Sequence, residues 1–236
     1  KTTFRAAPSV KVGNTVLKCS YGTGFRAPSL YELYDQTYGN SQLKPETSKG
    51  WDAGLEQEIG ASLKLGSTYF STDYTDFIDW AWTGPGLYDG KYSQVKGITR
   101  TRGVESFIEW IPVSTARISV SHTFTDIQAV SANSEARRPK NKVGLAGSWK
   151  ATSKLTLSST MNWVGKRKEV YSKDASGTSV TELGDYFVAN VSASYRLQPG
   201  LELYGRIDNV FDRYYEEVWS YATSNRAAYA GVRVTF

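Results

Sequence analysis

The stretch Leu201-Glu202-Leu203-Tyr204-Gly205-Arg206-Ile207-Asp208 decides the fold. Leu201, Leu203 and Ile207 fall on one face of an extended chain, and Glu202, Tyr204, Arg206 and Asp208 fall on the other, because strand side chains alternate with period two. The same alternation runs through Phe187–Tyr195, Leu155–Trp163 and Val143–Trp149. In each, one face is apolar and often ends in an aromatic ring, while the other is small, polar or charged. A soluble sandwich gives similar alternation, so the spacing of the strands has to decide. About eleven strands are expected, near 2–12, 15–26, 47–59, 62–82, 92–111, 116–130, 139–150, 154–171, 184–197, 201–215 and 226–236. Short turns at Gly13-Asn14, Gly60-Ala61, Pro112–Thr115, Ala151–Ser153 and Gln198–Gly200 alternate with longer stretches at 27–46, 83–91, 131–138, 172–183 and 216–225. Sorting turns by length onto two ends is the mark of a transmembrane barrel. The expected fold is therefore all-β, a transmembrane antiparallel β-barrel, and closure is required because an open edge in hydrocarbon leaves backbone groups unpaired.

Composition narrows the function. No apolar run reaches the roughly 18–20 residues a spanning helix needs. The net charge of +5 is spread among acids, as in Lys166-Arg167-Lys168-Glu169, which argues against nucleic acid as a partner. Cys19 has no second cysteine to pair with, and one histidine, His122, cannot build a multi-histidine metal site. On strict alternation His122 shares the apolar face with Ile118, Val120 and Phe124, and a bulge turning it inward is one expected remedy. No nucleophile elbow or phosphate-cradling glycine loop accompanies it, since Gly22-x-Gly24 lies on a strand rather than at a helix start. No catalytic residues, resident metal or cofactor are expected, and the chain is not read as an enzyme. Trp110, Trp149, Trp163 and Tyr195 stand at strand ends, where an aromatic girdle meets the membrane surface.

The last strand sets the orientation. Ala228, Ala230, Val232, Val234 and Phe236 share a face, and a terminal aromatic such as Phe236 looks like the signal read by the barrel assembly machinery. The C-terminus is then periplasmic, the long loops face outside, and an odd strand count places Lys1 on the outer side, with further strands expected before it. A bulky ligand held above the lumen would be met by aromatic side chains, and the loops offer Tyr31, Tyr34 and Tyr38, then Trp80, Trp82, Tyr88 and Tyr92, then Trp219 and Tyr221.

Several motifs resemble those of the TonB-dependent outer-membrane receptors. These are Tyr21-Gly22-Thr23-Gly24-Phe25-Arg26-Ala27-Pro28-Ser29-Leu30-Tyr31-Glu32-Leu33-Tyr34, then Gly39-Asn40, Leu43–Ser48, Trp51 and Gly54-Leu55-Glu56. Near the end come Asp208-Asn209-Val210-Phe211-Asp212-Arg213-Tyr214-Tyr215, Arg226 and Tyr229–Phe236. The resemblance implies a 22-stranded barrel with an N-terminal plug, residues 1–236 being its C-terminal half and the plug lying outside this sequence. It also implies a bacterial outer-membrane location and energised import of cobalamin, a ferric siderophore or haem. The implied partners are the missing barrel half and plug, the TonB complex, outer-membrane lipids and a possible surface lipoprotein. The rival function is a passive or structural barrel segment. Within the family the sequence looks most like the cobalamin importers. On that resemblance Arg137 of Arg137-Arg138-Pro139-Lys140, Tyr171 after Gly165-Lys166-Arg167, and Tyr221 of Tyr221-Ala222-Thr223 are candidate ligand contacts, beside Tyr31, Tyr34 and Trp82; the spacing around Tyr171 departs from the family pattern.

Overall fold

A computed structural model describes residues 1–84, 89–129, 135–174 and 177–236; of Trp82, 171–174 and 177–179 it describes the backbone only. Sixteen strands and one short helix are described: β1 (Arg5–Ala6), β2 (Ser9–Val12), β3 (Thr15–Arg26), α1 (Leu30–Tyr34), β4 (Glu46–Ile59), β5 (Leu63–Thr75), β6 (Ile78–Trp82), β7 (Gly90–Gln94), β8 (Ile98–Val113), β9 (Ala116–Gln128), β10 (Asn141–Lys150), β11 (Leu155–Val164), β12 (Arg167–Asp174), β13 (Gly177–Leu183), β14 (Tyr186–Gln198), β15 (Leu201–Asp208) and β16 (Ala227–Val234). One antiparallel sheet runs β1-β3-β4-β5-β8-β9-β10-β11-β14-β15-β16, with β2 also on β3. Ala6 faces Tyr21 and Ser9 faces Lys18, so β1 and β2 keep one register. They are a single strand interrupted at Pro8, which has no N–H to give the ladder. The wall thus has eleven strands in strict sequence order.

Hairpins of two kinds connect them. At one end the turns are tight: Val12 pairs Thr15, Val113 pairs Ala116 and Gln198 pairs Leu201. Gly13 (φ 59°) and Gly200 (φ 77°) supply the left-handed backbone such turns need. At the other end the strands outrun the sheet. The expected strand 62–82 is two elements, because the ladder stops at Thr75 and Asp76 takes φ 57°. β6 then pairs β7 in a separate hairpin, and Gly97 (φ 111°) returns the chain to β8. Likewise 154–171 divides at Gly165 into β11 and β12, and most of the expected loop 172–183 is strand paired back on β12. The expected 201–215 ends at Asp208, where Asn209 (φ 50°) leaves the extended region. Alternation alone does not mark these breaks, since each segment keeps period two on both sides of the kink.

Register fixes two continuous faces. Across β5, β8, β9, β10, β11 and β14, aligned rows such as Leu65–Ile108–Val120–Leu145–Met161–Ala189 form an apolar face. The opposite face carries Lys18, Asp52, Glu56 and Lys64, with Glu56 bridging Lys18 and Lys64 at 2.7 Å each. It also carries Phe70 and Phe107, each lying over a glycine of the next strand: Gly103 faces Phe70 and Gly66 faces Phe107. A Cβ on Gly66 would stand 2.5 Å from the Phe107 ring, so the ring occupies the space a side chain would need.

Trp110, Trp149 and Tyr195 sit on the apolar face beside the tight turns, and Trp163 sits at the opposite end, its Nε1 donating to Asp185 at 3.1 Å. His122 is not turned inward. The β8–β9 register runs unbroken from Arg100–Gln128 to Trp110–Ile118, leaving His122 on the apolar face opposite Ser106 and Val143. Its Nε2 lies 3.0 Å from Asn141 Oδ1, so a polar neighbour at the head of β10 removes the need for a bulge.

Candidate ligand-binding rim

The long connections gather two side-chain clusters at the same end of the wall. The first is built on β12. Glu169 is 1% exposed, and its carboxylate accepts from Arg137 Nε at 3.0 and 2.9 Å, from the Trp219 amide at 3.2 Å and from the Val170 amide at 3.1 Å. It therefore ties the 135–140 segment and the 216–221 segment to the β12–β13 hairpin. Burial pushes the Glu169 carboxyl up, but Arg137 and the Trp219 and Val170 amides outweigh it and hold the group below the ordinary carboxylate value. Arg137 stands at φ 60° with its amide on Lys168 O at 2.7 Å. Only its Nε is bonded among the described residues, so both Nη groups of a half-exposed guanidinium remain available. Tyr221 is exposed and close enough to raise the Arg137 pKa, after the larger effect of the Glu169 hydrogen bond.

Beside Glu169 on β12, Arg167 is 5% exposed. It donates to Gly184 O at 3.0 Å and to Glu216 O, and its guanidinium lies over Tyr186 at 5.1 Å. Tyr186 stacks on Tyr215 at 4.3 Å. A cleft of about 580 Å³ opens here, lined by Glu135, Arg138, Lys140, Lys166, Arg167 and Glu182 among others.

The second cluster is built on α1 and the β6–β7 hairpin. Ser29 caps α1 in a reciprocal box with Glu32. Arg26 links Glu32 (3.1 Å) to Glu46 (2.7 and 2.9 Å), and Glu46 also accepts the Ile78 amide at 2.7 Å. The helix and the hairpin are thereby fastened to the heads of β3 and β4. Burial pushes the Glu32 carboxyl up, yet the Ser29 amide and hydroxyl and Arg26 keep it below the ordinary value. Tyr31 meets Tyr92 at 6.1 Å, Tyr92 meets Trp80 at 5.6 Å and Trp80 meets Tyr38 at 5.1 Å, all edge to face.

The six residues expected from the sequence therefore divide. Arg137 and Tyr221 come together with the β12 strand that carries Tyr171; Tyr31 packs in the second cluster, and Tyr34 is exposed beside it on α1. Trp82 ends β6 and Tyr171 lies two residues beyond Glu169, but their side chains, like all of Tyr88, lie outside the described residues. Sequence reasoning missed Glu169, Arg167 and Arg26 as organisers. Glu169 and Arg167 signalled only as charge inside otherwise β-patterned stretches, which reads as a solvated face until the loops are folded onto it, and Arg26 stood within the quoted motif without its role as a tie being legible. No group of three His, Cys, Asp or Glu side chains able to hold a metal occurs among the described residues.

An eleven-strand antiparallel wall with one apolar face, tight turns at one end and structured loops at the other has the architecture of a transmembrane β-barrel. Residues 3–210 match the family described as TonB dependent receptor-like, beta-barrel, and the chain belongs to that family. It is 29% identical over 209 residues to the vitamin B12 transporter BtuB of Vibrio vulnificus (strain YJ016), covering 85% of this chain and 31% of that protein. A ferric enterobactin receptor variant of Pseudomonas aeruginosa bound to enterobactin superposes with a TM-score of 0.81 at 23% identity, covering 99% of this chain and 40% of the other. The ferripyoverdine receptor of the same organism gives 0.77 at 17%, covering 98% and 32%. The chain thus spans about a third of the B12 transporter's length. These relatives are receptors and transporters rather than enzymes.

Proposed function

We propose that residues 1–236 form the C-terminal half of a 22-stranded outer-membrane barrel whose complete protein imports cobalamin through the TonB complex. The missing barrel half and plug complete the receptor. The carrying observation is the Glu169-centred junction, which holds Arg137 with free Nη donors beside the exposed Tyr221 in a chain related to a B12 transporter. Arg137 would donate to an amide or phosphate oxygen of the ligand, while Tyr221 and Tyr171 offer ring surface. Tyr31 and Tyr34 of α1, with Trp82 at the end of β6, are the further candidate contacts. A cleft of about 580 Å³ takes one side group of so large a ligand, the rest being held from above by the loops.

A ferric siderophore is the second reading. It is favoured by Arg138, Lys140 and Lys166 around that cleft, where an anionic chelate would find cations. Titration of the purified complete receptor with cyanocobalamin, and separately with ferric enterobactin, tests both. Saturable submicromolar cobalamin binding that weakens in Arg137→Ala and Tyr221→Ala supports the first reading. Tight binding of the iron chelate alone replaces it with the second, and binding of neither sinks both.

A further inference from the structure

The face of the wall opposite the apolar one lines the interior of a closed barrel, and it divides by charge. On β2 to β8 its lysines are answered within the sheet: Lys11 pairs Glu58 at 3.4 Å, and Lys18 and Lys64 both pair Glu56 at 2.7 Å. Asp52, Glu105 and Glu109 add further acids to that half of the face. The other half is basic. Register places Arg117, Lys142, Lys150, Arg196, Arg206 and Arg233 on the interior face of β9, β10, β14, β15 and β16, and the acids among them are Glu202 and Asp208. Both acids are taken, Glu202 by Arg233 at 2.6 Å and Asp208 by Arg206 at 3.4 Å. Arg117, Lys142, Lys150 and Arg196 form no ion pair among the described residues. Arg117 shares a hollow of about 360 Å³ with Glu58, Lys64 and Glu109 and is still unpaired.

The layout of these four cations narrows what can answer them. Lys142 and Lys150 stand near the two ends of β10, about 27 Å apart at roughly 3.4 Å per residue. From β9 to β14 is three strand spacings, about 14 Å. Charges spread so widely do not converge on one phosphate or carboxylate. They match a broad surface that carries several carboxylates, and low-dielectric walls around a confined space strengthen their field. Ser148, Ser158 and Ser192 lie in one register row with Arg117, and hydroxyls between charges suit the backbone and side-chain groups of a protein face. Chain outside these residues supplies such a face. This chain covers 40% of the ferric enterobactin receptor, so a wall of twice this size leaves about a fifth of that chain over, enough for one domain.

We propose that an acidic face of the receptor's own plug seats on β9, β10, β11 and β14, its carboxylates pairing with Arg117, Lys142, Lys150 and Arg196. This rests on the reading that a plug completes the barrel. Zero-length carbodiimide coupling of the purified complete receptor, read by peptide mass spectrometry, tests it, because the reagent joins a lysine amine to a carboxylate only where the two are in contact. Lys18–Glu56 and Lys64–Glu56 are the internal standard. Lys142 and Lys150 should couple to Asp or Glu residues of the plug. Lys150→Arg, which keeps the charge but offers no amine, should lose its own link and leave that of Lys142. Lys142 and Lys150 left uncoupled while the standard forms, coupled only to wall strands, or freely acylated by a small water-soluble reagent, as in an open anion passage, would overturn the proposal. Longer amine-to-amine links from Lys18, Lys64, Lys142 or Lys150 to the plug report separately whether it occupies the lumen. Such links without carboxylate coupling at Lys142 and Lys150 refute the acidic face alone. Absence of both kinds, with the standard present, removes the plug and with it the reading of the complete receptor.

Discussion

Replacing Glu169 by alanine should release the loop junction without unfolding the wall. The carboxylate accepts from one guanidinium nitrogen and two backbone amides. Its partner Arg137 has a side chain 53% exposed, so water takes over much of that ion pair and its share is about 1 kcal/mol. The amides of Trp219 and Val170, bonded at 3.2 and 3.1 Å, add about 1 kcal/mol each when this acceptor is removed from a buried place. The sum is roughly 3 kcal/mol, or about 150-fold in the local opening equilibrium. Glu169→Gln keeps the volume and one acceptor and should cost about half as much. Hydrogen exchange read by mass spectrometry on the complete receptor measures this directly. Peptides covering 167–170 and 216–221 should exchange faster, while those covering β4 and β5 should not change. Because the folded Glu169 pKa lies below its ordinary value of 4.5, its contribution is fully present above that pH and is lost as the pH falls through the lowered value. Protection of the two loop peptides should accordingly fall in acid, and in Glu169→Gln that acid dependence should vanish. Unaltered exchange at 216–221 in Glu169→Ala, or equal acceleration in β4 and β5, would refute the assignment.

Three other outcomes follow from the geometry. Asn209→Ala should destabilise the β15 exit by about 2–3 kcal/mol, since Asn209 is 4% exposed, holds Arg213 and Ser224 through its side chain and sits at φ 50°; urea titration of heat-modifiable migration reads the loss. His122→Leu should leave assembly intact and change stability by less than about 1 kcal/mol, because the face it joins is apolar and only Asn141 loses a partner; thermal unfolding in detergent checks it. Deleting Phe236 should slow insertion into the outer membrane but leave the melting temperature of assembled receptor unchanged, since this side chain is fully exposed and packs against nothing on the wall; yield against melting temperature separates the two effects.

Much of the wall was legible before any coordinates. Period-two alternation in Leu201–Asp208 and its repeats assigns each residue to a face, and once a tight turn fixes the register, pairs across it such as Ile108–Val120 follow without further information. His122 shows how far this goes: alternation alone placed it on the apolar face, and the structure keeps it there. The motif residues Arg26 and Asn209 were visible as motif, though not as the tie between α1 and β4 or as the left-handed corner that ends β15.

The rim is where the sequence ran out. A strand that leaves the sheet and pairs with itself keeps the same alternation, so β6–β7 and β12–β13 could not be separated from β5 and β11 by pattern. Glu169 stands in a charge run that reads as solvated. It becomes buried because segments 32 residues before it, at Arg137, and 50 residues after it, at Trp219, close over it. Local periodicity determined the faces because it depends on neighbours two positions apart. Which side chains meet above the wall depends on contacts between distant loops, and only the tertiary structure decided those.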